Sequence, residues 1–287
     1  MVSFPSPSTA APFPAARGYR AFVQRTLRDH LRHLPAEAPL SGVPKQATEL
    51  PAPAASVALL RGDPAALGRL PIDHRVRPVE TRGGSKAASA AVHTFIKTRL
   101  AHYADGHIHP DEDVTSRLSP YLHFGHISAH DVFSAVMTHE RWTTRKLSPR
   151  ASGAREGWWG ASPSAEAFLD QLVVWRELAL NGSEWTPDYE QYETLPAWAR
   201  ATLHRHAGDE RPHHYTLDQL ESASTADEVW NAAQRQLVTE GWFHGYLRML
   251  WGQKILEWSD HPAEALTRME HLMNHRPSDR CSGPCAA

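Results

Sequence analysis

The stretch SKAASAAVHTFIKTRLAHY, residues 85–103, decides the fold class. Val92, Phe95, Ile96, Leu100 and Tyr103 recur at three- and four-residue spacing, so they share one face of a helix. The same period returns downstream. Ile127, Val132, Phe133 and Val136 carry it around 127–139. Phe168, Leu172, Trp175 and Ala179 share a face over 164–180, with Ser164 as the expected cap. Thr225-x-x-Glu228 reads as a capping box opening a helix with Trp230, Ala233 and Leu237. The next helix, roughly 242–258, is apolar nearly all round and is expected to be deeply buried. Alternating β-branched runs are almost absent, so residues 85–275 read as all-α.

Upstream the character differs. Residues 1–17 read as an extended or disordered leader, and 19–33 have a helical period through Phe22, Leu27 and Leu31. Residues 34–84 form a long irregular stretch rich in proline, closing on Gly83-Gly84, as a linker or packing arm would.

Composition narrows the function. No apolar run approaches the ~18 residues of a spanning helix, and the mean hydropathy is −0.49, which excludes a membrane protein. The two cysteines, Cys281 and Cys285, exclude a disulfide scaffold and suit a cytoplasmic protein. Lys and Arg total 30 against 32 Asp and Glu, so any nucleic-acid binding must rest on a local patch. The 10 tryptophans call for an explanation.

Five segments carry candidate chemistry. Thr115-Ser116-Arg117-Leu118-Ser119-Pro120 sets three hydroxyls and an arginine at a helix start, a ready anion site, although an ordinary capping turn has the same composition. Gln171 and Trp175, four apart, lie on one face and can hold a planar ring by hydrogen bonding and stacking, or be a core Trp beside a surface Gln. Trp251 and Trp258 lie on one side of a helix, ~10 Å apart along its axis, with Trp230 on the helix before; they are an electron relay or core packing. The basic loop 140–159 interleaves Trp142, Trp158 and Trp159 with Arg141, Arg145, Lys146, Arg150 and Arg155, which suits nucleic acid as well as a solvated loop. His271-x3-His275 with Cys281-x3-Cys285 has zinc-type ligands at spacings that depart from the common fingers, so no metal is expected.

Taken in order, TSRLSPYLHFGHIS, FLDQLVVWREL, VWNAAQRQLV and HGYLRMLWGQKILEW resemble the helical FAD-binding domain of DNA photolyases, above all the class II cyclobutane-pyrimidine-dimer enzymes. The resemblance runs from about Ser85 to about Leu272. It implies an all-α, photolyase-type domain over 85–272, preceded by a leader, short helix and irregular Pro-rich connector over 1–84 and followed by a divergent tail over 273–287. It implies FAD as cofactor, held by Tyr103, Thr115, Ser116, Arg117, Leu118, Ser119 and Arg248. Gln171, Trp175 and Met249 match positions that hold the flipped-out dimer. Trp230, Trp251 and Trp258 match the relay that photoreduces the flavin, with Arg248 beside the ring. The implied activity is light-driven dimer repair on UV-damaged DNA by a monomer; a cryptochrome-like photosensor and a non-catalytic remnant that binds DNA are the alternatives.

The chain departs from the family in places. Gln171 stands where many photolyases have Glu, and His107 where class II members usually carry Arg. An α/β antenna domain is expected to be absent before the helical part. After Leu272 the family's Asn/Asp-rich stretch, which faces the flavin and pairs with the arginine matching Arg248, gives way to MNHRPSDRCSGPCAA. Truncation or a broken frame is the simplest account, with weakened FAD retention as the expected consequence.

Overall fold

The computed structural model describes residues 12–32, 35, 41–43, 57–59, 63–71 and 79–274. The chain divides into two compact units, residues 35–78 and the remainder. In the smaller unit a short helix, Pro64–Leu67, is opened by Asp63, whose carboxylate accepts the Ala65 N–H at 2.9 Å. The larger unit is all-helical, with no strand among its described residues.

Its helices are α1 (Ala16–His30), α2 (Ser85–Thr98), α3 (Ala129–His139), α4 (Pro163–Leu169), α5 (Arg176–Trp185), α6 (Ala197–Arg205), α7 (Glu228–Glu240), α8 (Gly245–Glu257) and α9 (Pro262–Asn274). Shorter turns join them. A π-helical turn, Asp170–Trp175, connects α4 directly to α5.

Two hydrophobic clusters organise the unit. The first is built by α1 to α5. Tyr19, Val23 and Leu27, four apart on α1, are wholly buried in it beside Val92 and Phe95 of α2 and Val132, Phe133 and Val136 of α3. Phe95 is its aromatic centre, 4.7 Å from Phe168 and 5.8 Å from Tyr103 between ring centroids. Helix α1 therefore belongs to the core. The second cluster joins Leu220 to α7, α8 and α9 through Trp230, Leu237, Phe243, Trp251, Ile255, Trp258, Ala265 and Leu272.

Local starts differ from the sequence expectation where two hydroxyls compete. Ser162, not Ser164, caps α4 by accepting the Ala165 N–H at 3.2 Å. Ser164 lies inside the helix, where its Oγ accepts from the Ala104 N–H and donates to the Ala101 carbonyl. Pro163 decides the register, because proline suits the first helical position. Likewise Asp227 caps α7, its Oδ1 accepting the Trp230 N–H at 3.0 Å, while Thr225 is held by Asn231. Helix α8 is not deeply buried: Trp251 and Ile255 are enclosed, but Tyr246 and Met249 stand out, Met249 being 62% exposed. Its second flank is apolar without being covered by the described residues.

The loop 140–162 also corrects a reading. Trp158 and Trp159 are buried and Trp142 is half-buried, its Nε1–H donating to the Trp159 carbonyl at 2.6 Å. Trp142 and Trp159 pack with Phe133, and Trp158 with Trp159, instead of offering a stacking platform. Glu166 holds the loop by accepting backbone N–H groups of Gly157, Gly160 and Ala161. The cationic side chains of the loop, Arg141, Arg145, Lys146, Arg150 and Arg155, are exposed, with Glu156 among them.

Candidate active site

The three indoles of the second cluster form a continuous file. Trp230 lies in the middle: its ring is parallel to Trp251, 6.1 Å away at 4°, and meets Trp258 edge-on at 5.4 Å. Trp230 Nε1–H donates to the Trp251 carbonyl at 3.1 Å, and Trp251 Nε1–H donates to Gln234 Oε1 at 2.9 Å. All three are buried. Both indole donors are thus satisfied inside the core, which holds each ring in one orientation. Gln234 was not singled out in the sequence, although it stands four residues after Trp230 on the same helix face. Tyr215 extends the file, 5.0 Å edge-on from Trp258.

The Thr115–Ser119 turn lies against the entry to α8. Arg117 adopts a left-handed backbone, φ 55°, and its guanidinium sits over Trp242 at 4.3 Å. Just beyond, Arg248 places its guanidinium 5.3 Å from the Phe243 ring. Ser116 is buried, its Oγ accepting the Leu118 N–H at 3.3 Å. Leu118 is part of the first core, and Ser119 opens the short helix Ser119–His123. Thr115 Oγ1 is buried and has no hydrogen-bond partner among the described residues. Asp113 draws the arginines together: its carboxylate accepts from Arg99 at 2.9 Å and from Arg117 at 3.1 Å. Neither Arg99 nor Asp113 has a local pattern that marks it in the sequence.

A buried polar atom left without a partner costs roughly 1–3 kcal/mol. The Thr115 hydroxyl thus has a hydrogen bond to give to a bound group, and Arg99 reaches the Thr115 carbonyl at 3.5 Å. His244 borders the same region. Its Nδ1 accepts the Tyr246 N–H at 3.1 Å, which caps α8. Burial pushes its pKa below the usual 6.5, and His107 and His109 nearby act the same way through charge.

Tyr103 stands apart from any open surface. It is buried between Phe95, Phe168 and His107, whose ring stacks on it at 4.9 Å and 14°. Burial pushes its phenol well above the usual 10. The His107 Nδ1 is 2.8 Å from the Tyr103 carbonyl oxygen, so this side chain stabilises a helix end.

Gln171 and Trp175 share the π-turn. The Arg176 N–H reaches the Gln171 carbonyl, the five-residue bond that defines it. Leu172, Val173 and Val174 are buried, whereas Gln171 is half-buried and Trp175 is 39% exposed. Trp175 thus leaves the apolar face it was expected to share with Phe168 and Leu172, because the wide turn resets the period. Met249 lies on α8, and among the described residues no hydrogen bond or ring contact joins it to Gln171 or Trp175. His271 pairs with Glu221, Nε2 to Oε1 at 2.6 Å. His275, Cys281 and Cys285 lie outside the described residues.

No family model matches the chain. Among curated proteins, the deoxyribodipyrimidine photo-lyase of Methanothermobacter thermautotrophicus is 40% identical over 190 residues, 66% of this chain and 38% of that protein. That of Potorous tridactylus is 38% identical over 198 residues, 69% of this chain and 34% of its own length. That of Oryza sativa subsp. japonica is 42% identical over 179 residues, 62% and 32% of the two chains. Over the matched residues the chain belongs to the photolyase family. It spans about a third of the length of the curated relatives it matches. No helix among the described residues is long and apolar enough to cross a membrane.

Proposed function

We propose that residues 85–272 form the flavin-binding part of a class II cyclobutane-pyrimidine-dimer photolyase, a cytoplasmic monomer that repairs UV-damaged DNA. The observation that carries this reading is the buried file Trp251–Trp230–Trp258, with neighbouring centroids 6.1 and 5.4 Å apart. Three buried indoles in contact give the short ring-to-ring steps that electron hopping needs.

Bound FAD, once reduced, supplies the light-absorbing electron donor for ring splitting. The chain's own residues do the remaining work. Thr115, Ser116, Arg117 and Ser119 hold the phosphates with hydroxyls and charge. Arg248 adds a fixed positive charge, which favours an anionic flavin. The indole file carries an electron through the second core. Gln171 and Trp175 receive the flipped-out dimer, the amide by hydrogen bonds to base edges and the indole by stacking. Met249 adds a soft apolar contact. The exposed cations of the 140–162 loop supply DNA affinity that salt weakens.

The test is direct. The chain is supplemented with FAD and a reductant, mixed with an oligonucleotide bearing one thymine dimer, and illuminated with blue light. Light-dependent recovery of the undamaged thymines supports the proposal. Stoichiometric flavin without any light-dependent splitting would sink it.

A further inference from the structure

The π-turn is a stretch of backbone that needs holding. Its hydrogen bonds span one residue more than those of an α-helix, and such turns are frequent at functional sites. Two buried carboxylates bracket it. Asp170, at its start, is 1% exposed and accepts two hydrogen bonds from Arg20 of α1, at 2.7 Å from Nε and 3.1 Å from Nη2. Glu177, just past its end, is 2% exposed and paired with Arg176. Arg20 also donates to the Gly153 carbonyl at 3.3 Å, and Arg155 of the same loop stands 3.7 Å from Asp170 Oδ2. Gln24, one turn along α1, grips the loop from both sides: Nε2 donates to the Ala154 carbonyl and Oε1 accepts the Gly153 N–H.

We infer that Arg20 is a positioning residue for the lesion site: through its fork on Asp170 it holds the π-turn that presents Gln171 and Trp175. This rests on the function proposed above. The geometry explains why a remote helix matters. If the turn relaxed into an α-helix, Trp175 at its end would rotate by roughly 100° relative to Phe168 and Leu169, since each residue contributes that angle, while Gln171 at its start would move little, so the two would no longer stand as they do now. Asp170 sits next to Gln171, so fixing its side chain fixes the first residue of the turn. Arg155 is half-exposed and reaches the carboxylate from one side only, so it does not replace a two-bonded fork.

The test uses the full chain supplemented with FAD, in four forms: parent, Arg20→Met, Arg20→Lys, and the double variant Arg20→Met with Asp170→Asn. Two quantities are measured. One is hydrogen–deuterium exchange of residues 170–176 against α7 and α8. The other is the ratio of affinities for a duplex with one thymine dimer and the same duplex undamaged. In Arg20→Met, exchange at 170–176 is expected to rise and the dimer preference to fall, each by roughly tenfold, the scale of a charge-assisted hydrogen bond. Exchange in α7 and α8 and affinity for undamaged duplex stay within about twofold. Arg20→Lys restores part of both effects, because it keeps the charge without the fork. The double variant, which leaves no buried charge uncompensated, recovers global stability but not the dimer preference. Unchanged exchange at 170–176, or an equal rise in every helix of all variants, overturns the inference. A parent without dimer preference defeats the functional reading instead, and the exchange measurement then still decides whether Arg20 holds the turn.

Discussion

Trp230 lies parallel to Trp251 and donates its Nε1–H to that residue's own carbonyl oxygen, so ring stacking and a backbone bond hold the same pair. Trp230→Phe removes the donor and the middle ring of the file together. The unfolding free energy is expected to fall by about 2–4 kcal/mol, and light-driven reduction of bound flavin is expected to slow sharply. Trp198→Phe, at a 75% exposed position, changes neither. Urea denaturation and flavin bleaching under blue light measure the two effects.

Thr115 offers a variant whose two effects have opposite signs. Its Oγ1 is buried without a partner, so Thr115→Val removes an unsatisfied group and keeps the shape. Without flavin the valine variant is expected to be more stable by about 1 kcal/mol. FAD affinity is expected to drop roughly tenfold, the worth of one hydrogen bond to a charged group. Thermal unfolding with and without FAD reads both. A variant that binds FAD as tightly as the parent removes Thr115 from the site.

His30 on α1 and His130 on α3 meet through Nε2 atoms 2.9 Å apart, a contact that requires one donor and one acceptor. Burial pushes both imidazoles below the usual 6.5; for His130 the charges of His30 and Arg176 act in the same direction and that of Asp131 against it. The unfolded chain therefore binds more protons below 6.5. The contribution to stability is whole above that pH and is lost as pH falls through the lowered folded values. The unfolding midpoint is expected to decline from pH 7 toward about 5. His30→Gln, which keeps a donor but does not titrate, makes the decline shallower. Parallel profiles for the two proteins would remove this pair as its cause.

Gly153 has φ 72°, and a Cβ there would stand 2.6 Å from the Arg17 carbonyl oxygen. Gly153→Ala thus sets α1 against the loop it grips. A loss of about 2–3 kcal/mol is expected, from left-handed strain together with the clash. Gly182→Ala, where a Cβ meets nothing within 4 Å, is the control and is expected to be neutral or stabilising. Denaturant midpoints of the two variants decide.

Helices α2, α3 and α7 were legible because one apolar stripe each suffices to predict them, and Val92, Phe95, Val132, Val136, Trp230 and Leu237 lie in the core as that stripe requires; α2 ends at Thr98, short of Tyr103, and α6 and α9 were not read from the sequence. The Trp230, Trp251 and Trp258 grouping was legible too, from spacing and resemblance together. The π-turn was not. Its sequence, DQLVVW, has helical spacing, and the Arg20 side chain bonded to its first residue comes from 150 positions away. The cap of α4 was misplaced by two residues because Ser162 and Ser164 are equivalent until Pro163 is weighed. The loop indoles were misread because charge surrounds them in sequence, whereas Phe133 meets them in space. Local pattern carries neighbours along the chain; it carries no information about side chains that arrive from another helix.

The placement of α1 has a consequence for how the chain is made. Tyr19, Val23 and Leu27 leave the ribosome well before the surfaces that bury them, which include Phe168 to Val174. At ~5–20 residues per second, roughly 8–30 s of synthesis separate the helix from its partners. During that interval α1 exposes an apolar stripe, and its docking closes a loop of some 150 residues, a late step in folding. Helix α1 is therefore made before the surfaces that bury it and seated only after them, and until it docks its apolar stripe is open to aggregation or chaperone capture.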